Sequence, residues 1–89
     1  MKAVVTVVGK DRVGIIAETC VALASYNVNV LDISQTVMKS YFTMMMVVDV
    51  SNCTVSVTEL CKAMDAKGQE MGLSIRVQRE DIFEAMHRV

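Results

Sequence analysis

The spacing of apolar residues alternates along the chain between the period of a strand and the period of a helix. A β-branched run at residues 2–8 is followed, from 11 to about 26, by apolar residues at three- and four-residue steps. Residues 28–37 and 41–50 return to strand-like alternation, a second helical stripe follows Ser56, and 73–78 alternate again. The pattern predicts the order strand, helix, strand, strand, helix, strand.

Capping signals predict the limits of the two helices. Asp11 precedes the first stripe and is predicted to be its N-cap. Ser56 and Glu59 have the spacing of a capping box, in which each side chain accepts from the other residue's backbone N–H, and Gly72 is placed to end the second helix. The residues expected to face the core from the first helix are Val13, Ile16, Cys20, Leu23 and Ala24.

The second strand changes parity along its length. Val28 and Val30 alternate in one phase, whereas the apolar residues that continue to Val37 follow the other. Such a change turns later side chains to the opposite face unless an extra residue absorbs it, which predicts a bulge near Leu31 and Asp32. The polar pair at 39–40 is suited to a hairpin turn.

This element order predicts an α+β, ferredoxin-like βαββαβ sandwich. Right-handed crossovers place both long helices on one face of a four-stranded antiparallel sheet. Residues 80–88 add a short C-terminal helix with Ile82, Phe83 and Met86 turned inward. With 89 residues, the chain has the length of a single domain, 1–89.

Composition excludes several classes of protein. A net charge of −1 and four aromatic side chains argue against a nucleic-acid binder, including an RNA-recognition module of similar fold. There is no signal peptide and no apolar run near the ~18 residues of a transmembrane helix, so no membrane association is expected. Three unpaired, widely spaced cysteines favour the reducing cytoplasm, and the 53% hydrophobic content favours self-association.

No catalytic or metal-binding arrangement is expected. The chain has a single histidine, His87, at its C-terminal end, and no recognisable nucleophile motif or paired carboxylates. No C-x-x-C pair offers thiol ligands to a metal, so the cysteines are interpreted as small core residues. The sequence therefore predicts a protein that is not an enzyme and needs no cofactor.

The loop from Gly9 to Ile15 is the most informative segment. It joins a strand to a helix, where unpaired backbone N–H groups and the helix dipole favour an anion such as a carboxylate. An ordinary strand-to-helix turn is the alternative interpretation. The glycine spacing matches neither the phosphate loop nor the dinucleotide fingerprint.

Two asparagines flank the start of the second strand. Asn27 is explained by a left-handed cap after the helix. Asn29 points away from Val28 and Val30, and its amide could read the polar groups of a small zwitterion. This interpretation assumes that the start of the second strand lies beside the loop that ends in Ile15.

Taken together, these motifs resemble the ACT domain. The pattern consists of Gly9-x-Asp11-Arg12-x-Gly14-Ile15 followed by Asn27-Val28-Asn29-Val30-x-Asp32-Ile33. It is similar to small proteins made of one ACT domain, and to the ACT domains of glycine cleavage system transcriptional repressors and formyltetrahydrofolate deformylases. Ser34-Gln35-Thr36 and the strand that starts at Tyr41 strengthen that match.

The resemblance implies a regulatory module that binds an amino acid or similar metabolite at a homodimer interface. The residues that it assigns to this site are Asp11, Arg12, Val13, Gly14, Ile15, Asn27 and Asn29. Val13 departs from the family, where many members have proline. No catalytic or DNA-binding domain is attached, so the regulated enzyme or regulator is expected in another chain. The alternative is an interaction subunit that dimerises and docks on a metabolic enzyme or regulator without binding a ligand.

Overall fold

The computed structural model describes residues 1–86, apart from the side chains of Phe83 and Met86. It contains four strands and three helices. The elements are β1 (Lys2–Lys10), α1 (Ile15–Ser25), β2 (Asn29–Met38), β3 (Tyr41–Asp49), α2 (Val57–Met71), β4 (Ser74–Arg79) and α3 (Glu80–Met86).

The four strands form one antiparallel sheet in the order β2-β3-β1-β4. Side chains of α1 and α2 pack on the same face of this sheet, in one core cluster with alternate residues of the strands. The predicted ferredoxin-like α+β sandwich with a short C-terminal helix is confirmed. We refer below to the helix-covered face and to the opposite, open face of the sheet.

Alternation in the central strands builds the core. Met44, Met46 and Val48 of β3 are fully buried, and Met46 pairs with Val5 of β1, which is fully buried too. Apolar burial of this kind contributes roughly 25 cal/mol per Å². The even positions of β3 therefore face the helices, as their period-two spacing predicted.

The edge strand β2 contains the predicted bulge, which lies between Val30 and Asp32. Beyond it, Ile33 pairs with Met46 and Val37 with Phe42, so both face the helix-covered side. They are nevertheless 39% and 52% exposed, because this edge extends past the area that α1 covers. β2 is thus an edge strand with apolar side chains open to solvent on both faces.

The start of α1 differs from the prediction. Asp11 is not the N-cap: α1 begins at Ile15, and Gly14 occupies the N-cap position with φ 93° and ψ −1°. This left-handed conformation costs glycine little, which allows an extra turn between strand and helix. The buried residues of α1 are consequently Ile15, Thr19 and Leu23, and Val13 lies outside the helix with 96% of its surface exposed.

The limits of α2 follow the sequence more closely. The Ser56 hydroxyl accepts from the Glu59 N–H at 3.2 Å, although in the described part of the chain the Glu59 side chain does not return a bond to Ser56. Gly72 ends the helix in the left-handed conformation, as predicted. One turn earlier, Gly68 lies against the backbone of Leu73 and Ile75. The missing side chain at Gly68 allows α2 to approach β4 closely.

The C-terminal helix α3 follows β4 directly and lies against β1 and β4. The side chain of Ile82 is about half exposed, so it is not turned fully inward as predicted. The inward orientation predicted for Phe83 and Met86, and the extension of this helix to Arg88, fall outside the described residues and side chains.

Candidate functional site

A cleft of about 520 Å³ opens between the start of α1 and the helix-covered side of β2. A volume of this size is in the range of small-molecule sites in proteins. Its lining residues are Asp11, Arg12, Gly14, Ile15, Ile16, Ala17, Gln35, Val37 and Phe42. Four of the seven residues that the sequence assigned to a ligand site therefore lie around one cleft.

The first turn of α1 has no side-chain cap among the described residues. The first intrahelical bond from this end runs from the Glu18 N–H to the Gly14 carbonyl at 2.9 Å. The N–H groups that precede Glu18 in the first turn consequently have no intrahelical acceptor. Together with the positive end of the helix dipole, they make this side of the cleft suitable for an anion.

Asp11 places a negative charge on the same cleft. Its backbone N–H donates to the Ser40 carbonyl at 2.9 Å, which fixes the loop against the β2–β3 turn. Within residues 1–86 its carboxylate forms no hydrogen bond or ion pair. Asp11 is thus held by its backbone and keeps its side chain available for a cation.

Arg12 is occupied by an internal ion pair. Its guanidinium contacts the Glu18 carboxylate at 2.7 Å and donates to the Val13 carbonyl at 3.0 Å. The hydrogen bond and the charge of Arg12 lower the pKa of Glu18, so that both groups are charged at neutral pH. A ligand that required Arg12 would first have to compete with Glu18.

The sequence analysis missed the wall of the cleft that β2 and β3 supply. Gln35 and Val37 reach it because the bulge turns the odd residues of β2 toward the helix-covered face, and Phe42 is the partner of Val37 in β3. The parity change that predicted the bulge was the signal that could have identified these two residues of β2. Val13, in contrast, does not line the cleft.

The two asparagines do not lie at this cleft within one chain. Asn29 pairs with Asp49, which pairs with Lys2, whereas the loop follows Lys10 at the other end of β1. The two ends are separated by roughly 26 Å at about 3.3 Å per residue. The expectation that the start of the second strand lies beside the loop is wrong, because β2 runs in the same direction as β1.

Asn27 has a structural role at the far end of α1. It adopts the left-handed conformation with φ 60°, and its side-chain N–H donates to the Asn52 carbonyl at 2.9 Å. These two features match the cap that the sequence suggested. The bond also attaches the end of α1 to the loop before α2.

We expect Asn27→Ala to destabilise the protein by about 2 kcal/mol, because alanine loses the bond to Asn52 and adopts the left-handed conformation at a cost. Asn27→Gly loses only the bond and should cost about 1 kcal/mol. Urea unfolding followed by circular dichroism measures both values. Equal losses for the two variants would show that backbone conformation does not matter here.

The described residues offer no alternative site for metal chemistry. No group of three or more histidine, cysteine, aspartate or glutamate residues within 1–86 could hold a metal ion. Cys20, Cys53 and Cys61 are free, half-buried thiols. Across the same part of the chain, no helix is long and apolar enough to cross a membrane.

The sequence profile of a known family, described as the ACT domain, matches residues 2–78. Among curated proteins, the UPF0237 protein of Clostridium acetobutylicum is 51% identical over 89 residues, which cover the whole of both chains. Among solved structures, the ACT domain protein from Streptococcus pneumoniae is 45% identical with a TM-score of 0.83, and the alignment covers 94% of each chain.

Two larger structures contain a similar region. A putative glycine cleavage system transcriptional repressor is 26% identical with a TM-score of 0.73, over 88% of this chain and 44% of that one. A formyltetrahydrofolate deformylase from Pseudomonas syringae has a TM-score of 0.79 over 88% of this chain and 27% of its own, and at 21% identity it shows the fold alone. Both kinds of protein were indicated by the sequence motifs.

Proposed function

Because this chain belongs to the ACT domain family, we propose that it is a regulatory module that binds an α-amino acid and catalyses no reaction. The observation that carries the proposal is the pairing of opposite charges on one cleft. The unpaired N–H groups of α1 suit a carboxylate, and the Asp11 side chain suits an ammonium group. An α-amino acid has both groups on one carbon atom.

In this proposal, the amino acid binds with its carboxylate against the backbone from Gly14 to Ala17. Its ammonium group donates to Asp11, and Gln35 offers a further amide oxygen from the opposite wall. Arg12 stays with Glu18 and contributes packing at the rim. The single chain supplies both charges of the receptor, so that Asn29 is not needed for the first contact.

We also propose that two chains pair through β2. An exposed, apolar edge strand is a template for pairing with another strand, and symmetric dimers do this in antiparallel fashion. Opposed residues must share a face, and the bulge inverts the alternation before Asp32. The longest face-matched pairing therefore covers 32–38 and is centred on Gln35, with Ile33 of the partner subunit opposite Val37.

This pairing supports a ligand site at the dimer interface. Antiparallel alignment brings the Asn29 end of one β2 to the Met38 end of the other, next to the loop that Asp11 attaches to Ser40. Asn29 of the partner subunit then approaches the cleft that it cannot reach within its own chain. Amino-acid binding and dimer geometry become coupled, which is how a module of this kind can transmit a signal to an enzyme or regulator in the cytoplasm.

A second candidate function rests on the exposed β2 edge alone. An interaction subunit would dimerise through Ile33 and Val37 and present its surface to a partner enzyme, with the cleft unused. This subunit would respond to none of the twenty amino acids, whereas an amino-acid sensor would respond to some of them.

The test is a thermal-shift screen of the wild-type protein with each of the twenty amino acids at millimolar concentration. A ligand of useful affinity stabilises the protein by about 1–3 kcal/mol, which raises the melting temperature by roughly 4–8 °C per kcal/mol for a domain of this size. No shift with any amino acid would reject the sensor and favour the interaction subunit.

Asp11→Asn is expected to weaken binding of the amino acids identified in the screen by about 10- to 100-fold, because the ammonium group loses a charged acceptor. Isothermal titration calorimetry measures the change. Asp65→Asn on α2, far from the cleft, is the matched control and should bind as the wild type does. Unchanged affinity in Asp11→Asn would remove Asp11 from the site.

A further inference from the structure

The part of the cleft beyond Asp11 is apolar. Val37 is half exposed on the wall that β2 supplies, Phe42 is buried behind it, and Ile16 faces them from α1. A half-exposed valine beside a buried phenylalanine leaves apolar surface in contact with water. A ligand side chain that covers this surface would gain from its removal from solvent.

The cleft has no partner for a second ligand charge. Asp11 and Arg12 are its charged lining residues among those described, and Arg12 is already paired with Glu18 at 2.7 Å. An acidic ligand side chain would have to displace Glu18, and a basic one would compete with its own ammonium group for Asp11. Either way, a charge would be left against Val37 and Phe42, where its desolvation is costly.

The two faces of β2 differ in a way that matches this division. Toward the open face the strand presents Asp32, Ser34 and Thr36, whereas toward the cleft it presents Ile33 and Val37 around Gln35. In the proposed dimer, Ile33 of the partner subunit lies opposite Val37 and extends the apolar wall. Polar side chains are thus excluded from the side of the strand that the ligand touches.

From these observations, and resting on the proposed amino-acid site, we infer that the ligand is an α-amino acid with an uncharged, apolar side chain. Asp11 and the start of α1 hold the groups that all amino acids share. Val37, Phe42 and Ile16 read the side chain. The volume of about 520 Å³ has room for a side chain as large as that of leucine, isoleucine, methionine or phenylalanine.

The experiment compares leucine, alanine, glycine, serine, glutamate and lysine by isothermal titration calorimetry with the wild-type protein. We expect leucine to bind at least about tenfold more tightly than alanine, because each added methylene covers more of the apolar wall. Glycine, serine, glutamate and lysine should bind more weakly than leucine. This ligand series needs no variant and does not depend on the folding of one.

A pair of valine substitutions locates the selectivity. Val37→Thr keeps the shape of the side chain and adds a hydroxyl group to the wall, and should reduce leucine binding about tenfold while glycine binding stays unchanged. Val8→Thr is the matched control, because Val8 is similarly exposed but lies on the open face of β1, and leucine should bind to it as to the wild type.

The outcomes separate this inference from the function on which it rests. If serine or glutamate binds as tightly as leucine, and Asp11→Asn still abolishes that binding, the amino-acid site stands and the apolar class is wrong. If leucine affinity falls equally in Val37→Thr and Val8→Thr, Val37 does not read the side chain and the inference is overturned. If no amino acid binds at all, the proposed function fails first.

Discussion

Gly68→Val should destabilise the protein by about 3 kcal/mol and lower its melting temperature by roughly 12–24 °C. A Cβ atom at this position would lie 2.9 Å from the Leu73 carbonyl oxygen and 3.1 Å from the Ile75 backbone nitrogen. Because these are backbone atoms, no rotation of a side chain relieves the contact. Valine would push α2 away from β4 and open the core around Met64.

Ala66→Val is the control for this substitution. Ala66 is exposed on α2, so valine there changes little except helix propensity and should cost about 0.5 kcal/mol. Chemical denaturation of both variants and of the wild type gives the three free energies of unfolding. A loss of stability in Gly68→Val no larger than that in Ala66→Val would show that α2 can move away from β4 freely.

Gln35→Glu and Gln35→Lys should each weaken the proposed dimer by about 10- to 100-fold. In the β2 pairing, Gln35 of one subunit lies opposite Gln35 of its partner across the twofold axis, so either variant opposes two like charges. Size-exclusion chromatography with light scattering over a dilution series measures the dissociation. An equimolar mixture of the two variants should restore a mixed dimer, because each position then faces an opposite charge.

Gln69 provides the matched control on an exposed position of α2. Gln69→Glu and Gln69→Lys should dimerise as the wild type does, singly and mixed, because no copy of Gln69 faces another in the proposed dimer. If the Gln35 variants also remain fully dimeric, the axis does not pass through Gln35. A wild-type protein that is monomeric at all concentrations would reject the pairing itself.

The sheet was predictable from the sequence because its signals are local. The even positions of β3 are apolar from Phe42 to Val50, and they are the positions that the structure buries. The bulge followed from a change in alternation between Val30 and Val37, and Gly72 ended α2 where no other residue adopts the required conformation so readily. In each case the determining residues are neighbours in the chain.

The beginning of α1 was not predictable in the same way. Asp11 has the chemistry of an N-cap, but its backbone N–H is bonded to Ser40, which lies in a turn far away in the sequence. That contact holds Asp11 outside the helix and leaves the N-cap position to Gly14. A tertiary hydrogen bond therefore overrides a local preference, and it leaves the Asp11 carboxylate free.

The candidate site was predictable by half. The residues from Asp11 to Ile15 are close in the chain, and the loop pattern pointed to them. The other wall depends on which strand is the neighbour of which, and the position of Asn29 depends on the direction in which β2 runs. Strand order and direction are settled by packing of the whole sheet, so Gln35, Val37 and Phe42 emerged only from the structure.

The bulge in β2 also bears on how large an assembly this chain can form. In the proposed dimer, the regular segment 32–38 is consumed by one partner, and the inverted alternation before it gives a third chain no matching surface. The remaining sheet edge, β4, carries Arg76 and Arg79, charges of the kind that discourage strand-to-strand addition. A small protein rich in exposed apolar residues is thereby protected from growing into an open-ended fibre.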